Sequence, residues 1–201
     1  MTELLYFLKK KMQLSQVDFS AIAFSPFVAT KGVKTSQAIL NGAPVEFLLD
    51  EEFHSAPFGA SAFNDPQATR LTLELDISQS PVLEVINLAE QAIIKKAHAS
   101  GIFEGSFEDV VRSFKSSVSF SEKYTAFRLR TKLNTVGARP CRFFLHPDKT
   151  QVSYDDLNLR NSRVRPHICF KGLWKQGGQW GLQLEVLNLL VQSAADAPIP
   201  F

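Results

Sequence analysis

Leu71, Leu73, Leu75 and Ile77 alternate with Thr72, Glu74 and Asp76, which predicts a half-buried strand with one apolar face. The period then lengthens. Val82, Val85, Ile86, Ala89, Ala92 and Ile93 form one stripe at helical spacing. Ser80 serves as N-cap, Pro81 takes the first helical position and Gly101 lies beyond the end, so a helix is predicted to about Ala99. A second helix is predicted from Ser106 to Lys115, with Glu108 and Asp109 in its first turn. Upstream, Phe19 to Asp50 reads as strands and turns, with Asn41-Gly42 a hairpin signal before Val45 to Leu49. Glu51 to Pro66, rich in Pro, Phe and small residues, reads as a loop, and Glu3 to Met12 fits a short helix or a first strand.

The last ninety residues predict an antiparallel sheet with strands at Lys123–Leu133, Pro140–His146, Arg163–Trp174 and Gln179–Val191. Gly177-Gly178 closes the final pair as a tight hairpin, and Pro166 makes the third strand an edge or delays its start to His167. Strands with intervening helices and no βαβ rhythm predict an α+β, mainly β fold around a closed or nearly closed barrel. The expected organisation is one domain over 1–192 and a tail over 193–201. Within that domain, 1–105 form an additional β-rich and helical part, and 106–192 form a basic core sheet.

Composition narrows the class. The 201 residues are 45% hydrophobic and 21% charged, and a chain of this size buries roughly 70% of its unfolded surface without a staple. The longest apolar stretch, Trp180 to Val191, is interrupted by Gln183, Glu185 and Asn188 and falls short of the roughly 20 residues a membrane helix needs. Basic residues follow the apolar ones in Met1 to Met12, the reverse of a secretory signal. Cys141 and Cys169 make no disulfide framework, so an intracellular protein without membrane contact is expected. Collagen, coiled coil, transmembrane helix and secreted mini-protein are excluded.

The net charge of +2 conceals a segregation. Between Val110 and Lys175 stand fourteen Lys and Arg against four acids, a net of +10 that leaves −8 on the remainder. Strand parity sorts these cations onto faces. Tyr124, Ala126, Arg128, Arg130 and Lys132 share one side of the first basic strand, opposite Phe127, Leu129, Thr131 and Leu133. Arg163, Arg165, His167, Lys171 and Lys175 share one parity, with Val164, Ile168, Phe170 and Trp174 on the other. Arg142 and Phe144 pair opposite Phe143.

Three basic faces backed by apolar ones suit a polyanion, because a groove lined by Arg and Lys tracks phosphates spaced along a chain. Tyr124 and Phe144 are candidate stacking surfaces and Trp174 a candidate at the barrel rim. Phe127, Phe143, Phe170 and Trp180 are expected in the core.

The run from His167 to Val191, with Trp174, a Gly-containing turn and then Trp180-Gly181, resembles the closing hairpin of phage and large-DNA-virus single-stranded DNA-binding proteins. Phe114 to Val118 followed by Phe127 to Leu133 resembles the middle section of that family, and Asp148 to Arg163 its connector. The likeness spans roughly Ser106 to Val191. It implies an OB-fold-like antiparallel β-barrel with accessory strands and one or two helices. The implied activity is non-enzymatic, sequence-independent coating of single-stranded DNA in replication, recombination or repair. The implied setting is the cytoplasm of a bacterial host, and a homo-oligomer is compatible with it. The C-terminal Asp196, Ile199, Pro200 and Phe201 resemble the tip of bacterial single-stranded DNA-binding proteins, which docks replication and repair partners.

His54, His98, His146 and His167 with two Cys give no zinc spacing, and neither a P-loop nor a Gly-x-Ser-x-Gly elbow is present. No metal, cofactor or catalytic residue is therefore expected. Two further readings of the basic sheet stay open: a structural or assembly protein that binds an acidic protein partner, and an RNA-binding or nuclease-associated module.

Overall fold

The computed structural model describes residues 12–193 apart from 31, 63, 64 and 66, so the predicted Glu3–Met12 element, save Met12 itself, and the C-terminal tip lie outside the described residues. In chain order the elements are β1 (Ala23–Phe24), β2 (Val28–Thr30), β3 (Val33–Leu40), β4 (Ala43–Leu48), β5 (His54–Ser55), β6 (Ala60–Ser61) and β7 (Arg70–Asp76). Then come α1 (Val82–Ala99), α2 (Phe107–Ser113), β8 (Phe114–Lys115), β9 (Val118–Ser121) and β10 (Ala126–Asn134). β11 (Arg142–Leu145), β12 (Gln151–Val152), β13 (Ser162–Gln176) and β14 (Gln179–Ser193) complete the order.

β13 and β14 are 15 residues each, about 50 Å at roughly 3.3 Å per residue, and pair along their length through the Gly177-Gly178 turn. Both turn glycines have positive φ, 57° and 77°, as a two-residue hairpin of this kind requires. This hairpin is a spine with different neighbours at each level. β13 pairs with β5 at Arg163–Val164, with β4 at His167–Phe170 and with β3 at Gly172–Lys175. β14 takes β8 at Trp180–Gly181, β10 at Glu185–Val186 and β11 at Asn188–Val191.

The ring β13, β14, β10, β7, β5 and back to β13 closes a five-stranded, OB-fold-like barrel. The sheet is not wholly antiparallel, contrary to the sequence expectation: β8, β10 and β11 each run parallel to β14. Parallel neighbours need long crossovers, and the segment between β10 and β14 is long enough to make one.

Leu71, Leu73, Leu75 and Ile77 are all buried, as their alternation predicts. Opposite them, Leu129, Leu133, Val164, Ile168 and Phe170 fill the same core. Ile86, Ala89 and Ile93 of α1 meet Phe47, Leu129, Ile168 and Phe170 around a void of only about 20 Å³. At the start of α1, the Ser80 hydroxyl accepts from the Val82 N–H at 3.3 Å and donates to Asp50 at 3.0 Å, which ties the helix entry to the end of β4. α2 ends at Ser113 because Phe114 and Lys115 leave the helix to pair with β14. The expected Glu51–Pro66 loop holds two short strands, β5 and β6.

Phe143, Phe170 and Trp180 are buried, whereas Phe127 is 37% exposed. β7 stops at Asp76, opposite Arg128, so Phe127 has a strand neighbour on one side only and packs against Phe120 at 5.0 Å. Among the described residues no helix is long and apolar enough to cross a membrane, and no group of His, Cys, Asp and Glu has a metal-binding arrangement.

Candidate nucleic-acid interface

Five cations converge on one groove of about 970 Å³: Arg70 from β7, Lys115 from β8, Arg130 and Lys132 from β10, and Lys171 from β13. Ser116, Ser117, Ser119, Trp174, Gln183 and a lone acid, Glu185, share its lining. The cross-strand register accounts for the convergence. Lys132 stands opposite Thr72 on β7 and Glu185 on β14, and Asn134 stands opposite Arg70, so β7 and β10 bring their cations together beside the Glu185 of β14.

The electrostatics reflect that crowding. Burial, then the neighbouring Arg70 and Arg130, pull the Lys132 ammonium below the usual lysine value, with Glu74 opposing. Lys132 Nζ donates to Thr72 Oγ1 at 2.6 Å, and the half-exposed Arg130 donates to Glu74 at 3.0 and 3.1 Å. Arg70 and Lys115 have no ion pair with a described residue. With Glu74 paired to Arg130 and Glu185 3.9 Å from Lys171, the five cations still leave a net positive charge, which raises the local concentration of anions.

Two glycines make the geometry possible. A Cβ on Gly172 would lie 1.8 Å from the Ser36 carbonyl oxygen, and φ is +139°, so only glycine lets β3 approach β13 there. The register slips by one residue between Phe170 and Gly172, which leaves Lys171 as an extra residue on β13. Beyond this bulge the strand's parity reverses. Trp174 and Gln176 therefore join Lys171 in the groove, while Lys175 turns away to sit over the Phe103 ring at 5.4 Å. At Gly181 an added Cβ would meet the Lys115 carbonyl oxygen at 2.7 Å and Trp174 Nε1 at 2.9 Å, so glycine also lets the indole and β8 pack together.

The Ser116–Ser119 wall is anchored from below. Glu90 of α1, only 5% exposed, accepts hydrogen bonds from the Ser116 hydroxyl at 2.7 Å, the Ser117 N–H at 2.7 Å and the Ser117 hydroxyl at 2.6 Å. A buried carboxylate satisfied by three donors fixes the backbone next to Lys115.

Several candidates lie elsewhere. Arg128 is 6% exposed, its guanidinium between the rings of Phe58 at 4.3 Å and Tyr124 at 4.5 Å and 3.9 Å from Glu74. It is a packed cation and not an open phosphate contact. Tyr124 is not on the strand. The left-handed Thr125, φ 49°, ends a short helical turn over Glu122–Tyr124, and the strand begins at Ala126. Its half-exposed ring nonetheless returns to Arg128. Phe144 is 6% exposed, so its face is not free to stack a base.

Arg163 donates to the Phe53 carbonyl and Arg165 Nε to the Asp50 carbonyl at 3.1 Å. His167 is buried, with Nδ1 2.8 Å from Asn188 Nδ2 and Nε2 3.5 Å from Glu46. Arg142 Nε donates to Asn188 Oδ1 at 2.9 Å. Of the sequence candidates, Arg130, Lys132, Lys171 and Trp174 come together; Arg70, Lys115 and Glu185 complete the site and were not among them.

Burial, reinforced by the Glu185 charge, pushes the Cys141 thiol up to about 12. Burial and then the Glu46 charge push Cys169 up to about 11. Neither thiol is set up as a nucleophile.

No family model and no curated protein sequence matches this chain. Among solved structures, the single-stranded DNA-binding protein of bacteriophage Enc34 in complex with single-stranded DNA is similar at TM-score 0.48 and 7% identity, over 89% of this chain and 98% of that one. A C-terminal truncation of the Enc34 protein gives TM-score 0.49 and 9% identity over the same shares. The single-stranded DNA-binding protein encoded by bacteriophage T7 gives 0.43 and 10%, over 79% of this chain and 91% of that one.

Proposed function

We propose that this chain is a non-enzymatic single-stranded DNA-binding protein that holds the phosphate backbone in the basic groove and stacks bases on Trp174. The convergence of Arg70, Lys115, Arg130, Lys132 and Lys171 from four strands onto one concave surface carries this reading. A groove of that charge neutralises successive phosphates, and the partly exposed Trp174 indole in its lining offers a face to any base. The reading extends to coating exposed strands during replication or recombination in a phage or virus-like replicon, the setting the sequence resemblance implies. The tip at Asp196, Ile199, Pro200 and Phe201 belongs to the same proposal as a ligand for partner proteins.

The test is a titration of labelled single strands at rising salt. The logarithm of affinity falls with the logarithm of salt at a slope of roughly −0.7 per phosphate neutralised, so about five contacts give a slope near −3.5. Duplex of equal length binds more weakly, because it cannot offer a base face to Trp174. Affinity insensitive to salt overturns the proposal, and preference for an acidic polypeptide over DNA replaces it with the assembly-protein reading.

A further inference from the structure

The groove holds one residue that works against phosphate binding. Glu185 is the single acid among its lining residues, placed by β14 between Lys132 on one side and Cys169 on the other. Its side chain is 12% exposed, and its nearest ionic partner among the described residues is Lys171 Nζ at 3.9 Å, beyond hydrogen-bond range. An ionised carboxylate only accepts, so its lone pairs take donors from water or from whatever displaces water in the groove. Phosphate has none to give at neutral pH. Bases do: cytosine N4 donates to Glu and Asp side chains, and adenine and guanine carry amino groups of the same kind. Thymine has no exocyclic amine, and its N3–H is flanked by two carbonyl oxygens that a carboxylate repels.

From this geometry we infer that Glu185 makes the groove selective for single strands with amino-bearing bases over thymine-rich ones. The inference rests on the groove being a single-strand site and adds a base preference to it. Cations on the wall hold the backbone while a carboxylate on the floor receives base edges turned inward. The cost of bringing an anion near phosphate is offset when an amine meets it.

The experiment compares affinities of the full chain for oligo-dC, oligo-dT and an abasic strand of equal length at one salt concentration, for wild type and Glu185→Gln. Wild type is expected to favour dC over dT by about fivefold or more. Glu185→Gln, which keeps the shape and gains a donor, tightens the abasic strand and brings the dC to dT ratio close to one. A carboxylate that merely balanced Lys171 would shift all three strands together and leave the ratio unmoved, and that result overturns the inference. Equal wild-type affinity for dC and dT overturns it too, while leaving the single-strand reading intact. Failure to bind any strand removes both.

Discussion

The two halves of β13 carry the same kinds of residue and put them to different uses. In the first half, Arg163, Arg165 and His167 are tied to the protein itself: a carbonyl of the segment after β4 accepts from each guanidinium, and Asn188 and Glu46 flank the imidazole. In the second half, Lys171 and Trp174 line the groove, with the Lys171 side chain 43% exposed. A guanidinium tethered to a carbonyl gives up one donor and the freedom to follow a phosphate, whereas a half-solvated ammonium beside other cations gains from meeting one. Basic character on a strand face is thus a poor guide to binding; what matters is whether the chain opposite supplies acceptors.

The bulge between Phe170 and Gly172 separates the halves, so breaking it has the largest effect. Gly172→Ala forces a Cβ into the Ser36 carbonyl at a backbone angle that L-residues avoid. The expected cost is about 3 kcal/mol or more, read as a lowered denaturant midpoint, with β3 displaced from β13. Wild-type stability in this variant would show that the strand reaches the groove without the slip.

Next in size is a direct contrast of the halves. Replacing Arg70, Lys115 and Lys132 together by Ala is expected to weaken single-strand binding about 100-fold at low salt and flatten the salt slope by about 2. Replacing Arg163 and Arg165 together leaves affinity and slope unchanged and costs about 1 kcal/mol of stability for the two hydrogen bonds lost. An equal loss of affinity in the two variants, measured on folded protein, would erase the distinction.

The sequence carried the barrel well and the groove only in part, for reasons that individual residues explain. Strict alternation at Leu71–Ile77 and the stripe of α1 are local patterns, and both are found in place. Parity arithmetic along β13 failed past Lys171 because one extra residue inverts every later side chain; Gly172, a glycine inside a strand pattern, was the available signal. Arg70 and Lys115 stand at element ends without a patterned neighbour, and only tertiary pairing brings them beside Lys132. Arg128 shares a strand face with Arg130 and Lys132, yet the Phe58 ring from a remote loop and the returning Tyr124 ring enclose it. No local rhythm encodes that enclosure.

Asp50 sharpens the comparison from the structural half. Burial pushes its carboxyl up, but hydrogen bonds from His54 and Ser80 and the charge of His54 outweigh burial and hold it below the ordinary carboxylate value. A depressed folded value contributes stability that is present above the unfolded value of about 3.9 and is lost as pH falls through the folded one. Asp50→Asn is therefore expected to cost about 1–3 kcal/mol at neutral pH, shrinking toward zero in acid, with single-strand affinity at neutral pH unchanged. Chemical denaturation across that pH range reads it, and a pH-independent difference would assign the loss to packing alone.

The smallest effect belongs to the groove half and concerns protons. Because burial, Arg70 and Arg130 hold Lys132 below the usual lysine value, an arriving phosphate favours its charged form and pulls that value back up. Binding between the two values must then take up protons, on the alkaline side and below about 10.4. Calorimetry in two buffers of different ionisation enthalpy is expected to show a fraction of a proton absorbed per wild-type molecule bound. Lys132→Arg, charged throughout that range, absorbs none while still binding. Equal uptake in both would place the titrating group elsewhere and leave Lys132 as a wall residue whose charge does not respond to the strand.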